Sequence, residues 1–165
     1  MRARKTARAT AAIVGAALIG IGAPAVASAT GTADQAASQA TAAKSRLVPG
    51  TPCPKTTRAC LSLSRHRAWL IKNGHASYGG VKITTGKRGQ ETPRGLHHVI
   101  WKDIDHLSHE FNNAPMPFSV FFVPGIAFHE GSLYRQSNGC VHLSHKSAVT
   151  FYNALHVGDP VYVAR

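Results

Sequence analysis

The chain has 165 residues, of which 44% are hydrophobic and 16% are charged, with 19 Lys and Arg against seven Asp and Glu. Its formal net charge of +12 favours polyanionic surroundings such as wall phosphates, anionic lipid or nucleic acid. The positive residues do not follow one helix, and no nucleic-acid-binding motif accompanies them. The composition therefore argues against sequence-specific DNA or RNA binding.

An export signal is predicted at the start of the chain. Four Lys and Arg residues within positions 2–8 precede an uncharged apolar run, 11–23, and Ala27-Ser28-Ala29 has the small-residue pattern of a signal-peptidase site. We expect residues 1–29 to be cleaved off, with an uncleaved anchor as the alternative. Cleavage removes four positive charges and lowers the net charge from +12 to +8. A secreted, extracytoplasmic protein is the expectation.

Residues 30–46 have a composition that cannot sustain a folded core. They are mainly Ala, Thr, Gln, Ser and Gly, and they lack aromatic residues. Such a segment buries too little apolar surface to offset its conformational entropy. The sequence predicts a flexible linker here, followed by a single domain over residues 47–165.

The turn signals and short strand-like segments of this domain are typical of β-structure, so the predicted fold class is mainly β. Asn73-Gly74 is a strong hairpin signal, because both residues tolerate positive φ. The strand-like segments are rich in β-branched and aromatic residues, or alternate in polarity. They are 60–64, 68–71, 78–85, 96–101, 118–123, 126–129 and 161–164.

One helix is predicted over residues 145–156. Ser144 is placed as its N-cap, Ala148, Tyr152 and Leu155 form one apolar face, and Gly158 follows its end. Cys140 lies on the loop or short strand that leads into this helix. If the thiol lies near the helix start, the field of the helix is expected to lower its pKa.

The three cysteines divide into a pair and a single thiol. In an oxidising compartment Cys53 and Cys60 are expected to close a small loop as a disulfide, which leaves Cys140. Polar residues and glycine flank Cys140, unlike a buried structural cysteine. A thiol nucleophile needs a base within hydrogen-bond reach, and His129 is the leading candidate, ahead of His142.

Several histidine pairs leave a metal-dependent hydrolase open as an alternative. They are His97-His98, His106-x-x-His109-Glu110 and His142-x-x-His145. Paired histidines bind zinc in many hydrolases. However, the His-Glu-x-x-His spacing is missing, and residues 103–113 do not predict a long helix.

The segment Ser137-Asn138-Gly139-Cys140-Val141-His142-Leu143 resembles the Ser-His-Gly-Cys-Val-Arg-Leu signature of the YkuD-type L,D-transpeptidase family. The segments 60–70, 84–95, 116–131 and 158–163 are similar to further stretches of that family, in the same order. The resemblance covers nearly the whole chain after residue 58.

The resemblance implies a β-sandwich-like domain, with one helix after the catalytic cysteine, that acts on peptidoglycan stem peptides at the cell wall. Cys140 would be the nucleophile and His129 its base, with backbone N–H groups of Gly139 and Cys140 as oxyanion donors and Ser137 orienting the loop or the base. A thioester would form as terminal D-alanine leaves. A neighbouring stem's amine would then give a 3→3 cross-link, and water would give carboxypeptidase activity. This chemistry implies no cofactor and no metal.

Two positions depart from the family pattern, Asn138 in place of His and His142 in place of Arg. They keep a second alternative open, in which a non-catalytic module binds the wall through its basic surface. From its neighbouring motif, Met116 is expected to line the pocket. A monomer is expected, with stem peptides and anionic wall polymers as partners. The side chains expected to be core are Trp69, Trp101, Phe118, Phe121 and Phe122.

Overall fold

Two β-sheets and one α-helix make up residues 46–165, the part of the chain that the computed structural model describes. The predicted export segment, and all but the last residue of the predicted linker, lie outside it. The elements are β1 (Ala59–Ser62), β2 (Arg67–Lys72), β3 (His75–Lys82), β4 (Gly95–His98), β5 (Trp101–Ser108), a 3-10 turn (His109–Phe111), β6 (Ala114–Val123), β7 (Ile126–Glu130), β8 (Val141–Leu143), α1 (His145–Ala154) and β9 (Pro160–Ala164). The predicted mainly β fold is confirmed.

The first sheet has the order β3-β2-β1-β9-β4, with β1 at its centre. Residues 60–64 alternate in polarity, yet all four residues of β1 are buried. The reason is that both faces are covered. Leu61 points into the main core, whereas Cys60 packs with Val48 and Ile71 on the other face. Cys60 also forms a disulfide with Cys53, with 5.8 Å between the two Cα atoms.

The Asn73-Gly74 hairpin forms as expected, with φ of 53° and 74° at its two turn residues. β3 follows the turn at once and ends at Lys82, so it begins and ends earlier than predicted. Residues 84–86 leave this sheet and bridge instead to the segment around Cys140. Residues 84–85 of the predicted strand 78–85 therefore support the segment around Cys140 and not the first sheet.

The predicted strand 96–101 is in fact the junction of two strands that belong to different sheets. β4 ends at His98 and β5 begins at Trp101. Between them the Val99 N–H donates to Asp159 O (2.9 Å), and the Ile100 N–H donates to Phe121 O (2.8 Å). The chain therefore passes here from the first sheet to the second.

The second sheet has the order β5-β6-β7-β8, and β7 and β8 are parallel. Helix α1 follows β8 and buries Ser147, Ala148 and Phe151. Ser144 caps it as predicted, accepting a hydrogen bond from the Ser147 N–H. Tyr152, predicted to share the apolar face, is only half-buried. No helix among residues 46–165 is long and apolar enough to cross a membrane.

Candidate active site

Cys140 lies immediately before β8, at the edge of an open cleft. The register pairs His129 of β7 with His142 of β8, and continuing it by one residue beyond the Phe128–Val141 pair places Cys140 opposite Ala127. Side chains two residues apart on a strand share a face. Both imidazoles and the thiol therefore face the same side of the sheet, where they line a cleft of about 830 Å³.

The Cys140 thiol is partly buried and rests in its protonated form. It donates a hydrogen bond to Gly125 O at 3.7 Å and packs against Met116 and Phe121. Burial raises the pKa of this thiol, and a hydrogen bond that the sulfur accepts from the Ala127 backbone N–H partly opposes that effect. The condition for the expected lowering of this pKa by helix α1 is not met, because β8 lies between Cys140 and the Ser144 cap, which are roughly 13 Å apart along the extended chain.

His129 is a buried histidine whose ring is uncharged at ordinary pH. Its ring is 6% exposed, and Nδ1 lies 2.7 Å from Glu130 O. Because a carbonyl only accepts, Nδ1 carries the hydrogen and Nε2 keeps a free lone pair. Burial, helped by the nearby ring of His142, lowers the pKa of His129 to about 4. The imidazole is therefore neutral at ordinary pH and can accept a proton.

His142 is held firmly against the ring of His129. The two rings meet edge to face, with 4.9 Å between their centres. Nδ1 of His142 lies 3.0 Å from Ser132 O and 3.1 Å from the hydroxyl of Thr84. A Cβ added at Gly131 would lie 2.6 Å from Cδ2 of His142, so only glycine leaves room for this ring position. His142 thus occupies the space beside His129 as a tightly packed ring.

The loop before Cys140 is fixed by its own hydrogen bonds. The Ser137 hydroxyl donates to Cys140 O at 2.5 Å and accepts from the Gly139 N–H at 3.1 Å. This differs from the expected role of Gly139 as an oxyanion donor, because its N–H already has a partner within the loop. Gly139 has φ of 120°, and a Cβ there would lie 3.1 Å from Ile126 Cδ1. The positive φ favours glycine, and any larger residue would also have to displace the end of the Ile126 side chain slightly.

Thr92 supports the same loop from 47 residues away, which the sequence reasoning missed. Its hydroxyl donates to Gly139 O at 2.7 Å and accepts from the Gly86 N–H at 3.1 Å. The side chain is buried, at 2% exposure. Thr92 lies in the segment 84–95 that resembles the family, but no local sequence pattern predicted its contact with Gly139.

An aromatic cluster forms another wall of the cleft. Trp101 stacks on Phe121 with 4.2 Å between ring centres, and His106 meets both rings edge-on. Trp101 is 40% exposed, so its expected place in the core is wrong, whereas the expectation holds for Phe121 at 3%. β5 is an edge strand, which leaves one face of its tryptophan open. The cleft thus offers a flat apolar surface near the thiol.

The remaining predicted site residues are divided between the cleft and the surface. Met116 is buried and lines the cleft, and Asn138 lines it from an exposed position. The histidine pairs of the zinc alternative do not converge. Within residues 46–165, no group of three or more His, Cys, Asp and Glu side chains is arranged to hold a metal ion.

Comparison with known proteins agrees with this fold. Residues 56–163 match the family model of the YkuD L,D-transpeptidase catalytic domain, and the chain therefore belongs to this family. No curated protein matches the chain.

Three solved structures illustrate the similarity. An L,D-transpeptidase from Stackebrandtia nassauensis is 24% identical with a TM-score of 0.61, over 65% of this chain and 54% of that one. One from Mycobacterium smegmatis is 20% identical with a TM-score of 0.59, over 65% and 58%. L,D-transpeptidase 3 from Mycobacterium tuberculosis, in complex with a faropenem-derived adduct, is 21% identical with a TM-score of 0.57, over 65% and 59%. The aligned part of this chain thus spans under two thirds of each of these proteins.

Proposed function

We propose that this chain is a secreted, cysteine-dependent L,D-transpeptidase that forms 3→3 cross-links between peptidoglycan stem peptides. The observation that carries the proposal is the shared face of Cys140 and His129 on the cleft side of the parallel β7–β8 pair. A neutral imidazole and a thiol of raised pKa that line the same cleft are the pair that a general-base mechanism needs.

Acylation begins as Nε2 of His129 takes the thiol proton and the sulfur attacks the carbonyl carbon of the third stem residue. The tetrahedral intermediate then collapses, and its C–N bond to terminal D-alanine breaks. The protonated His129 returns its proton to the departing amine. The products of this half-reaction are free D-alanine and a thioester on Cys140.

In the second half-reaction the acyl group passes from Cys140 to an acceptor amine. The side-chain amine of a neighbouring stem attacks the thioester, and its surplus proton passes to His129. The C–S bond breaks, and the thiolate recovers the proton as the new amide forms. When water is the acceptor, the product is a tripeptide stem instead, so carboxypeptidase activity is an expected side reaction.

The oxyanion of both intermediates needs N–H donors that are not already engaged. The Gly139 N–H donates to Ser137, whereas the Cys140 N–H has no partner among the hydrogen bonds of residues 46–165. We assign the Cys140 N–H as the principal donor. Ser137 and Thr92 then act as positioning residues, because together they fix the loop that presents this N–H.

The test is a product assay with the full chain and a disaccharide-tetrapeptide. The expected products are free D-alanine and a 3→3 dimer in equal amounts, identified by fragmentation in a mass spectrometer. Cys140→Ala should make neither product, and His129→Gln should slow both by about 10²–10⁴-fold, the usual contribution of a general base. His98→Gln, which alters an exposed histidine on β4, is the matched control and should retain activity. Release of free D-alanine without any dimer would instead indicate a carboxypeptidase. No reaction with folded protein would favour the wall-binding module.

A further inference from the structure

A second histidine lines the cleft on the side away from the proposed base. His106 lies on β5, opposite Met116 of β6, and lines the cleft together with His129 of β7. β5 and β7 flank β6, so their main chains lie roughly 10 Å apart. After burial and His142, His106 contributes to the lowered pKa of His129, so the two rings lie within electrostatic reach. The cleft is thus lined by two separate imidazoles, and only His129 has a role in the proposed mechanism.

A carboxylate orients the ring of His106. Nδ1 lies 3.1 Å from Oδ2 of Asp103. Because a carboxylate only accepts, Nδ1 carries the hydrogen and Nε2 keeps a free lone pair. Asp103 is held in turn by the Asp105 N–H, which donates to Oδ1 at 3.2 Å. An imidazole whose far nitrogen is held by a carboxylate is the arrangement of an oriented base.

Aromatic contacts fix the same ring close to the thiol. His106 meets Trp101 and Phe121 edge-on, with 5.3 and 5.0 Å between ring centres. Its side chain is only 20% exposed. Phe121 belongs to the apolar cluster against which Cys140 packs. The imidazole and the thiol therefore contact one cluster of side chains from two sides.

The transfer half-reaction needs a base besides His129. An aliphatic side-chain amine has a pKa of about 10.4, so the acceptor arrives as an ammonium ion without a lone pair. It must lose one proton before it can attack the thioester and a second as the amide forms. His129 takes the second of these protons. The first needs another acceptor.

The wall around His106 suits an alkylammonium group. One face of Trp101 stacks on Phe121, and the side chain is 40% exposed in the cleft. An open indole face attracts a cation and covers its alkyl chain. Glu110 of the 3-10 turn lines this end of the cleft as well, whereas the only Lys or Arg that lines the cleft within residues 46–165 is Arg135.

We infer that His106, oriented by Asp103, removes the first proton from the acceptor ammonium while Trp101 binds the acceptor's side chain. The inference rests on the proposed function and adds a second base to it. Nε2 of His106 takes one proton, and the freed lone pair forms the C–N bond at the thioester carbonyl. His129 takes the second proton and returns it to the sulfur as the C–S bond breaks. His106 then releases its proton to water.

The experiment measures the ratio of 3→3 dimer to tripeptide formed by the full chain from a disaccharide-tetrapeptide, and separately the rate of acylation by a carbapenem. At about pH 7.5, His106→Gln should lower the ratio about tenfold or more and change the acylation rate less than about twofold. Asp103→Asn should lower the ratio in the same direction by a smaller factor. Asp105→Asn alters an exposed carboxylate on the same strand and is the matched control, with an unchanged ratio.

The pH dependence separates proton transfer from a structural role. Free amine becomes about tenfold more abundant with each pH unit below its pKa, so the deficit of His106→Gln should shrink between about pH 7 and 9. The other titratable groups around this ring are Asp103 on its own strand, His129 on β7, and His109 and Glu110 on the 3-10 turn, while the contacts from β6 are apolar. All of them are retained in His106→Gln, so a deficit that changes with pH belongs to position 106.

An unchanged ratio in His106→Gln, or a deficit that stays constant with pH, would overturn the inference. So would a loss of carbapenem acylation that matches the loss of dimer in both His106→Gln and Asp103→Asn, because the pair would then only shape the cleft. A native chain that releases D-alanine but forms only tripeptide would overturn the acceptor role and leave the thiol mechanism intact. A native chain that neither releases D-alanine nor reacts with a carbapenem would instead overturn the proposed function itself.

Discussion

Protonation of the buried His129 should weaken the folded state as the pH falls. Its pKa is about 4 in the folded chain, against about 6.5 for a histidine in water. Because the folded value is the lower one, this group's contribution to the free energy of unfolding is fully present above pH 6.5 and is lost as the pH falls through 6.5 towards 4. The loss is about 2 kcal/mol between pH 7.5 and 5, and about 3 kcal/mol below pH 4.

The assay is urea unfolding of the full chain and of His129→Gln, each at about pH 7.5 and 5. Glutamine fills a similar space and does not titrate, so the variant should lose about 2 kcal/mol less than the native chain over this interval. His98→Gln should follow the native chain, because that histidine is exposed. If the native chain and His129→Gln lose stability in parallel, His129 is not held neutral by burial and its assignment as a neutral base fails.

Three further perturbations test the support around the site. Gly131→Ala places a methyl group 2.6 Å from a ring carbon of His142 and should slow acylation by a carbapenem about tenfold or more, by pushing that ring against the base. Thr92→Val removes a buried hydroxyl with two hydrogen bonds and should lower the free energy of unfolding by about 2–3 kcal/mol in urea titrations. Replacing Cys53 and Cys60 together by Ser should lower it by about 2.5 kcal/mol, the chain-entropy value for so short a loop.

Each of these has its own control. Adding His142→Ala to Gly131→Ala removes the clash, so the double variant should react like His142→Ala alone, and a slower double variant would contradict the argument. Thr150→Val alters a partly exposed helix hydroxyl and should change stability by less than about 0.5 kcal/mol. A reducing agent should affect the native chain as the paired serine variant does, and have no effect on that variant.

Local signals in the sequence predicted much of the fold. The Asn73-Gly74 turn and the Ser144 cap are each decided by a few adjacent residues, and both form as expected. The break between β4 and β5 was missed, because residues 96–101 are continuously strand-like. It depends on Val99 pairing with a residue 60 positions later in the chain. A contact between residues so far apart cannot be predicted from a local sequence pattern.

The sequence indicated which side chains form the candidate site, but not how burial and hydrogen bonds between distant segments affect them. A single thiol flanked by polar residues and glycine drew attention to Cys140, and the strand before it drew attention to His129. The raised pKa of Cys140 and the bond from Thr92 to Gly139 arise from packing between distant segments. The distance from Cys140 to helix α1 likewise depended on β8, a three-residue strand too short to stand out in the sequence.

The most direct test of the account is the intact mass of the full chain after reaction with a carbapenem, beside Cys140→Ala and His129→Gln. The cysteine mechanism predicts a single adduct in the native chain, none in Cys140→Ala, and slow formation in His129→Gln. An adduct that persists in Cys140→Ala, or no adduct on folded native protein with a free Cys140 thiol, would contradict it.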